Sequence, residues 1–509
     1  MINHLFDTLF DQKPGGAVFI ELADGTRWNY GDILSETARV ANALVSLGIQ
    51  PGDRIAAQVD KSVSAIALYL GTIRAGAVFL PLNTAYTAPE VEYFINDAEP
   101  ALLVCRPAAE TALRPIAASA ATRLETLDSS GNAGSWSELV NRCAGEFDSV
   151  ARDSHDLAGI LYTSGTTGRA KGAMITHLNL ATNALTLADI WRFTSDDVLL
   201  HALPIFHTHG LFVAINTTLI AGGSLLFLPR FDADEVVSVM PRASVMMGVP
   251  TFYTRLLDNS SFTAEQAQGM RLFVSGSAPL LEETHIAFHA RTGKAILERY
   301  GMTETNMNTS NPYAGNRRAG TVGLPLPGVD IRITDPESAV ELPNGEIGML
   351  EVKGQNIFKG YWRMPEKTAE EFRKGGFFIT GDLAMIDDQG YVVIVGRDKD
   401  LIISGGYNVY PKEVELEIDA LPGIVESAVI GLPHNDFGEA VTAVVVARQD
   451  NAINQQDIMV EISKRLAGYK QPRRIFFADH LPRNSMGKVQ KNLLRDEYKD
   501  TYATRSQRE

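Results

Sequence analysis

Short apolar runs alternate with longer stretches of helical spacing between residues 35 and 105, and this alternation constrains the fold more than any other feature. Residues 35–47 (SETARVANALVSL) carry apolar side chains at helical spacing and stop at Gly48. Residues 54–59 read as a strand, 61–77 as a helix, 78–82 as an apolar strand, 89–98 as a short helix and 101–105 as a strand. Strands joined by helices lie parallel, because a parallel pair needs a crossover that a hairpin turn cannot supply. Residues 108–150 are rich in Ala, Ser and Thr and give no strong signal beyond a turn at 129–132. Buried strands are expected again at 225–228, 245–249 and 272–275.

From Thr321 to about Val395, short runs separated by Gly, Pro and Asn turns predict a small antiparallel β unit. Residues 396–400 (GRDKD) form a charged connector. Beyond it come a strand at 401–403, a helix from Pro411, strands near 425–430 and 440–447, a helix at 455–467 and a strand at 474–477. The expected class is α/β. A large N-terminal domain of α/β sheets plus the small β unit covers residues 1–398, and a compact α+β domain covers 399–509. A chain of 509 residues is too long for one core.

The formal net charge of −15 argues against nucleic acid and anionic membranes as partners, so an anionic ligand would need cations concentrated locally. Cys105 and Cys143 are too few for a disulfide framework or a cysteine zinc site. The apolar stretches 65–82 and 211–228 are broken by Arg74 and by Asn216 with Gly222 and Gly223, so neither reads as a membrane span. Residues 1–12 lack the pattern of a signal peptide. A cytoplasmic enzyme with small-molecule partners is expected.

Residues 162–172 read YTSGTTGRAKG, after the apolar run 157–161 and before a helix expected from about Leu178. Strand, glycine-rich turn and helix gather backbone N–H groups around a phosphate. Gly165, Gly168 and Gly172 allow close approach; Thr163, Ser164, Thr166 and Thr167 add hydroxyls; Lys171 adds a cation. This is not a Walker A loop, which would need glycine in place of Ala170 and Ser or Thr in place of Gly172. The alternative is a Gly/Ser/Thr linker.

Further strings carry chemistry. In PIFHTHG (204–210) two histidines lack a third metal ligand, so His207 reads as a pocket wall rather than a zinc ligand. SGSAP (275–279) is a tight small-residue turn. In YGMTE (300–304) Thr303 offers a hydroxyl to a phosphate and Glu304 an oxygen to Mg²⁺, or the pair is a helix N-cap followed by an acid. Asp382, in TGD at a strand end, could take ribose hydroxyls. Lys488, in LPRNSMGKVQK (481–491), sits on a glycine loop, or belongs to a solvated basic surface.

Together and in this order, these strings resemble the adenylate-forming enzymes: acyl-CoA synthetases, luciferases and peptide-synthetase adenylation domains. The resemblance covers essentially the whole chain. It implies that a carboxylate attacks the α-phosphate of ATP, giving an acyl-adenylate and diphosphate, and that the thiol of coenzyme A then takes the acyl group. By the same resemblance, Lys488, Glu304 with its Mg²⁺, and Thr303 are catalytic. Nucleotide binding falls to Thr163, Ser164, Gly165, Thr166, Thr167, Gly168, Lys171, Ser277, Tyr300, Gly301, Asp382 and Arg397. His207 borders the carboxylate, Lys399 is the hinge, and Gly405, Gly406 and Tyr407 receive coenzyme A.

Residues 297–312 (LERYGMTETNMNTSNP) are similar to the malonyl-CoA synthetase branch of that family. This implies malonate as the acid. Arg299 would hold its second carboxylate bidentately if it faces the pocket; otherwise it pairs with a structural acid or faces water. Arg255 is a second candidate that reads more as a helix-surface residue. Methylmalonate is a plausible side substrate, since one methyl gives only about 1–3 kcal/mol of discrimination. The competing readings are a synthetase for another short or medium acid, a module loading a carrier protein, and a Walker-type nucleotide-binding regulator.

Overall fold

The computed structural model describes residues 2–163, 170–405, 407–434, 436–448, 453–484 and 487–502. The chain divides into two compact units, Met1–Asp330 with Val352–Phe378, and Ile331–Glu351 with Ile379–Glu509.

The first unit holds the expected parallel sheets. In one, the order is Arg123–Thr126, Leu102–Cys105, Arg54–Gln58, Val78–Pro81, Leu157–Thr163 and Lys171–Thr176. All but the last run parallel, and Lys171–Thr176 is antiparallel to Leu157–Thr163. A larger nine-stranded sheet has a parallel centre that includes Ile296–Met302, Leu272–Ser275, Val245–Gly248 and Val198–His201. Val245–Gly248 and Leu272–Ser275 are buried on both faces, as the centre of a covered parallel sheet requires. Helix Val63–Arg74 is buried nearly all round, and Ser62 caps it by accepting from the Ala65 N–H at 3.2 Å.

Three local expectations need correction. The helix foreseen at 35–47 begins five residues earlier, at Tyr30, because Asn29 and Asp32 form a reciprocal capping box that apolar spacing does not reveal. Residues 108–150 are not featureless: they contain helices Pro107–Ser119 and Ser135–Val140 and strand Arg123–Thr126. The first helix buries only Leu113 and Ala117, too few for a periodic signal. Finally, the glycine-rich stretch does not run directly into a helix. Lys171 opens the strand Lys171–Thr176, and helix His177–Ile190 follows from a Thr176 cap.

In the second unit, Tyr407–Val409, Ile402–Ser404, Gly438–Ala447 and Ile424–His434 form a sheet, with Arg474–Phe477 parallel to Gly438–Ala447. Helices Pro411–Asp419 and Gln455–Ser463 pack on it, as the βαββαβ reading expects, and a helix at Lys491–Tyr498 is added. Successive residues of one strand feed opposite cores: Val429 packs with Val414, Ile418 and Ile458, while Ala428 and Ile430 pack with Leu481 and Leu494. Strands Phe378–Ile386 and Val392–Arg397 run antiparallel and set Asp382 opposite Arg397. Among the described residues, no helix is long and apolar enough to cross a membrane.

Candidate active site

The antiparallel pairing that flanks the glycine-rich stretch makes Thr163 and Lys171 direct partners. Ser164, Gly165, Thr166, Thr167 and Gly168 lie outside the described residues. Lys171 is buried, with its ammonium 2.9 Å from Glu371 Oε1 and 4.1 Å from the centre of the Tyr361 ring. The Tyr361 hydroxyl lies 3.0 Å from Glu371 Oε2 and 3.1 Å from Glu304 Oε1. Thr163 Oγ1 lies 3.3 Å from that same Glu304 oxygen. A continuous polar path therefore joins Lys171 to Glu304.

Burial pushes the Glu371 carboxyl up, and Lys171, Tyr361 and Lys367 more than offset this, leaving it below its ordinary range. The Tyr361 phenol is held well above its ordinary value, first by burial and then by the charges of Glu304 and Glu371. Sequence reasoning missed both Tyr361 and Glu371. Glu371 is one acid among several in PEKTAEEF, and its partner Lys171 is 200 residues away.

Glu304 lies in the turn between strands Ile296–Met302 and Asn306–Ser310, with Thr303 beside it, so the helix N-cap alternative does not hold. Tyr300 and Gly301 end the first of these strands. A Cβ at Gly301 would collide with the Asn306 carbonyl, so only glycine passes there. Glu304 and Thr163 offer oxygen alone, and no group of three or more metal-ligating side chains occurs among the described residues. A single carboxylate, with water and substrate phosphates filling the other positions, is what Mg²⁺ takes, so these residues fit it.

Arg299 is only 2 % exposed. Its Nε and Nη2 have no hydrogen-bond partner among the described residues, and it forms no ion pair there. Arg299 therefore does not face water, and among the described residues no acid pairs with it directly, Glu298 acting on it only as a nearby charge. Nearby, His207 Nδ1, His209 Nε2 and Ser275 Oγ are also buried without partners among the described residues. Burial, then Arg299, lowers His207 to about 4 and holds His209 well below its ordinary value, so both rings are neutral at pH 7. Ser277 Oγ lies 3.2 Å from His209 Nδ1, and Ser277 adopts φ +73°. Burial lowers Arg299 to about 9, which leaves it charged at neutral pH. Buried polar groups are nearly always satisfied, so this cluster of buried polar atoms without partners among the described residues, gathered around a cation, is a candidate anion site. His209, read from sequence only as half of a failed metal pair, belongs to it. Arg255 stands apart, in helix Pro250–Asp258 and outside that helix's buried residues.

Gly276 packs against the Arg299 guanidinium. A Cβ there would lie 2.6 Å from Arg299 Nε and Nη1. The obstacle is the end of a flexible side chain, so Gly276→Ala should fold and displace the guanidinium. Its expected effect is a rise of about tenfold or more in KM for the acid at near-normal ATP affinity, measured by acid-dependent ATP–diphosphate exchange.

Within the second unit, Arg397 Nε lies 2.6 Å from Asp382 Oδ1, and Asp382 is buried. Lys399 sits in a short turn, Asp398–Asp400. The Asn484 side chain accepts from the Lys488 N–H at 3.0 Å and fixes the lysine turn. The Lys488 ammonium is lowered to about 8, first by desolvation and then by Arg397, with Asp382 opposing, although the residue as a whole is exposed. Lys488, Asp382, Arg397 and Lys399 are thus electrostatic neighbours. Gly405 adopts φ +59°, and Tyr407, 59 % exposed, stacks on Tyr469 at 4.7 Å; Gly406 lies outside the described residues.

Comparison with known proteins shows the family. Residues 6–362 match the AMP-binding enzyme family model, and 413–488 match the AMP-binding enzyme C-terminal domain. The crystal structure of ATP-bound MatB from Rhodopseudomonas palustris is similar, with a TM-score of 0.97 and 58% identity over 99% of this chain and 100% of that one. A malonate–CoA ligase from Arabidopsis thaliana is 35% identical over 97% of this chain and 88% of its own. A feruloyl-CoA synthase from Amycolatopsis sp is also 35% identical, over 92% and 94%. The chain belongs to the AMP-binding enzyme family.

Proposed function

We propose that this chain ligates malonate to coenzyme A through a malonyl-adenylate, releasing AMP and diphosphate. Arg299, buried with two nitrogens that have no partner among the described residues, carries the reading: a guanidinium with donors to spare suits an acid with a second carboxylate. The similarity to the Arabidopsis malonate–CoA ligase supports it. Since the feruloyl-CoA synthase is equally similar, the choice of acid rests on the pocket.

Arg299 holds one carboxylate of malonate, with His207 and His209 as neutral neighbours that add no competing charge. The other carboxylate oxygen bonds to the α-phosphorus of ATP as the bond to diphosphate breaks. Two anions must meet, so the residues position them and offset charge. Lys171, flanked by the 163–168 stretch, faces the phosphates. Glu304 and Thr163 would hold Mg²⁺, which neutralises phosphate charge when bound. Asp382 and Arg397 take the ribose, Ser277, Tyr300 and Gly301 border the nucleotide, Thr303 donates to phosphate, and Lys488 supports the adenylation step. Lys399 is the hinge between domains 1–398 and 399–509. About it, Lys488 gives way to Gly405, Gly406 and Tyr407, and the coenzyme A thiol displaces AMP. The reaction is assigned to the cytoplasm.

ATP–diphosphate exchange across malonate, methylmalonate, succinate and acetate tests the acid. Malonate should lead with methylmalonate second, and acetate at or above malonate would end the malonate reading. The pH profile tests Lys488. If its ammonium acts in adenylation, kcat/KM should fall about tenfold per pH unit above about 8, as the proton leaves. Lys488→Arg, slower but permanently charged, should show no such fall up to pH 10.

A further inference from the structure

A third histidine closes the loop that carries His207 and His209. His201 ends strand Val198–His201, and its Nε2 lies 2.8 Å from the carbonyl oxygen of Gly210. Pro204, His207 and His209 lie between the two. A Cβ on Gly210 would collide with the Pro204 carbonyl, so this segment folds back on itself and only glycine fits. Gly210 lies in the wide helical turn His209–Ile215, a form that recurs at functional sites. On the pocket side, Ser277 Oγ lies 3.2 Å from His209 Nδ1.

Lys61 reaches this closure from the other parallel sheet, just past strand Arg54–Gln58. Its ammonium lies 2.8 Å from His201 Nδ1, 2.8 Å from the His201 carbonyl oxygen and 4.3 Å from the centre of the Phe227 ring. The Gly210 carbonyl only accepts, so His201 Nε2 carries a proton. Burial, then the Lys61 charge, holds His201 well below its ordinary value, so the ring is neutral and Nδ1 keeps its lone pair. Burial lowers Lys61 as well, but an amine starts about four pH units above an imidazole, so the extra proton stays with Lys61. The face of Phe227 favours the charge there too. Lys61 therefore donates to Nδ1, and His201 donates to Gly210.

We propose that Lys61 is a positioning residue for the acid pocket: it holds the His201 ring against the Gly210 carbonyl and so fixes the loop that presents His207 and His209 beside Arg299. Its two hydrogen bonds and the ring face turn the ammonium inward, so it acts through His201 rather than on a ligand. Without Lys61, Nδ1 becomes a buried acceptor lacking its donor, and the ring gains by turning away from Gly210. A pocket is only as exact as the side chains behind it, and here the support comes from a different sheet. This rests on the reading of the Arg299 pocket as the acid's site.

The test is a double-mutant cycle read by acid-dependent ATP–diphosphate exchange. Lys61→Met, which keeps an apolar stem against Phe227, should raise KM for malonate about tenfold while kcat and ATP affinity change by less than about twofold. In a His201→Phe background the link to Gly210 is already gone, so Lys61→Met should add less than about twofold. An equal rise in both backgrounds, or a fall in kcat at unchanged KM as lost fold would give, overturns the proposal. Unaltered protein without malonate-dependent exchange overturns the acid reading, and the proposal with it. A measurement on the unaltered protein needs no variant to fold. The nitrogen resonances of the His201 ring, assigned through contacts with Phe227, should show a proton on Nε2 alone at neutral pH; a proton on Nδ1 overturns the proposal.

Discussion

Replacing Arg299 by alanine is expected to lower kcat/KM for malonate about 30- to several-thousand-fold while ATP affinity changes by less than about twofold. The range follows from leaving a buried carboxylate without its cation, which costs about 2–5 kcal/mol. Arg299 is 2 % exposed, and two of its nitrogens have no partner among the described residues, so it would meet the carboxylate away from bulk water. Arg299→Lys should recover only part of the loss, because an ammonium cannot reproduce the planar fork. The ratio of malonate to acetate turnover should collapse toward one in the alanine variant. Acid-dependent exchange, with ATP affinity measured separately, checks both. Unchanged malonate turnover in Arg299→Ala would remove this residue from the account.

Lys488→Ala should separate the two half-reactions. Formation of the adenylate is expected to fall about 10²–10³-fold, the usual effect of removing one group aimed at transition-state charge. Thioester formation from supplied malonyl-adenylate and coenzyme A should stay within about threefold, because that step has no pentavalent phosphorus to stabilise. Rapid-quench measurement of each half-reaction provides the check. Equal loss in both would mean that the Lys488 side chain does not act selectively in adenylation.

What the sequence revealed and what it hid have physical causes. The parallel sheets were legible because strands such as Leu102–Cys105 are apolar throughout, and strand–helix alternation leaves few topologies. Helix Pro107–Ser119 was not, because two buried residues make no periodic face. Asn29 and Asp32 lengthened a helix through polar capping that hydrophobic spacing ignores. Within the site, Lys171, Glu304 and Arg299 stood out because each lies in a dense local string. Tyr361 and Glu371 did not: their partners come from distant segments, and neither carries a local pattern. His209 was visible as a histidine but not as a pocket residue until the fold placed it beside Arg299 and Ser277.

The most direct measurement follows the products of the purified protein given malonate, ATP, Mg²⁺ and coenzyme A. The account predicts AMP and malonyl-CoA in equal amounts, and next to no AMP when acetate replaces malonate. ADP as the nucleotide product, or AMP released equally with acetate, would contradict it.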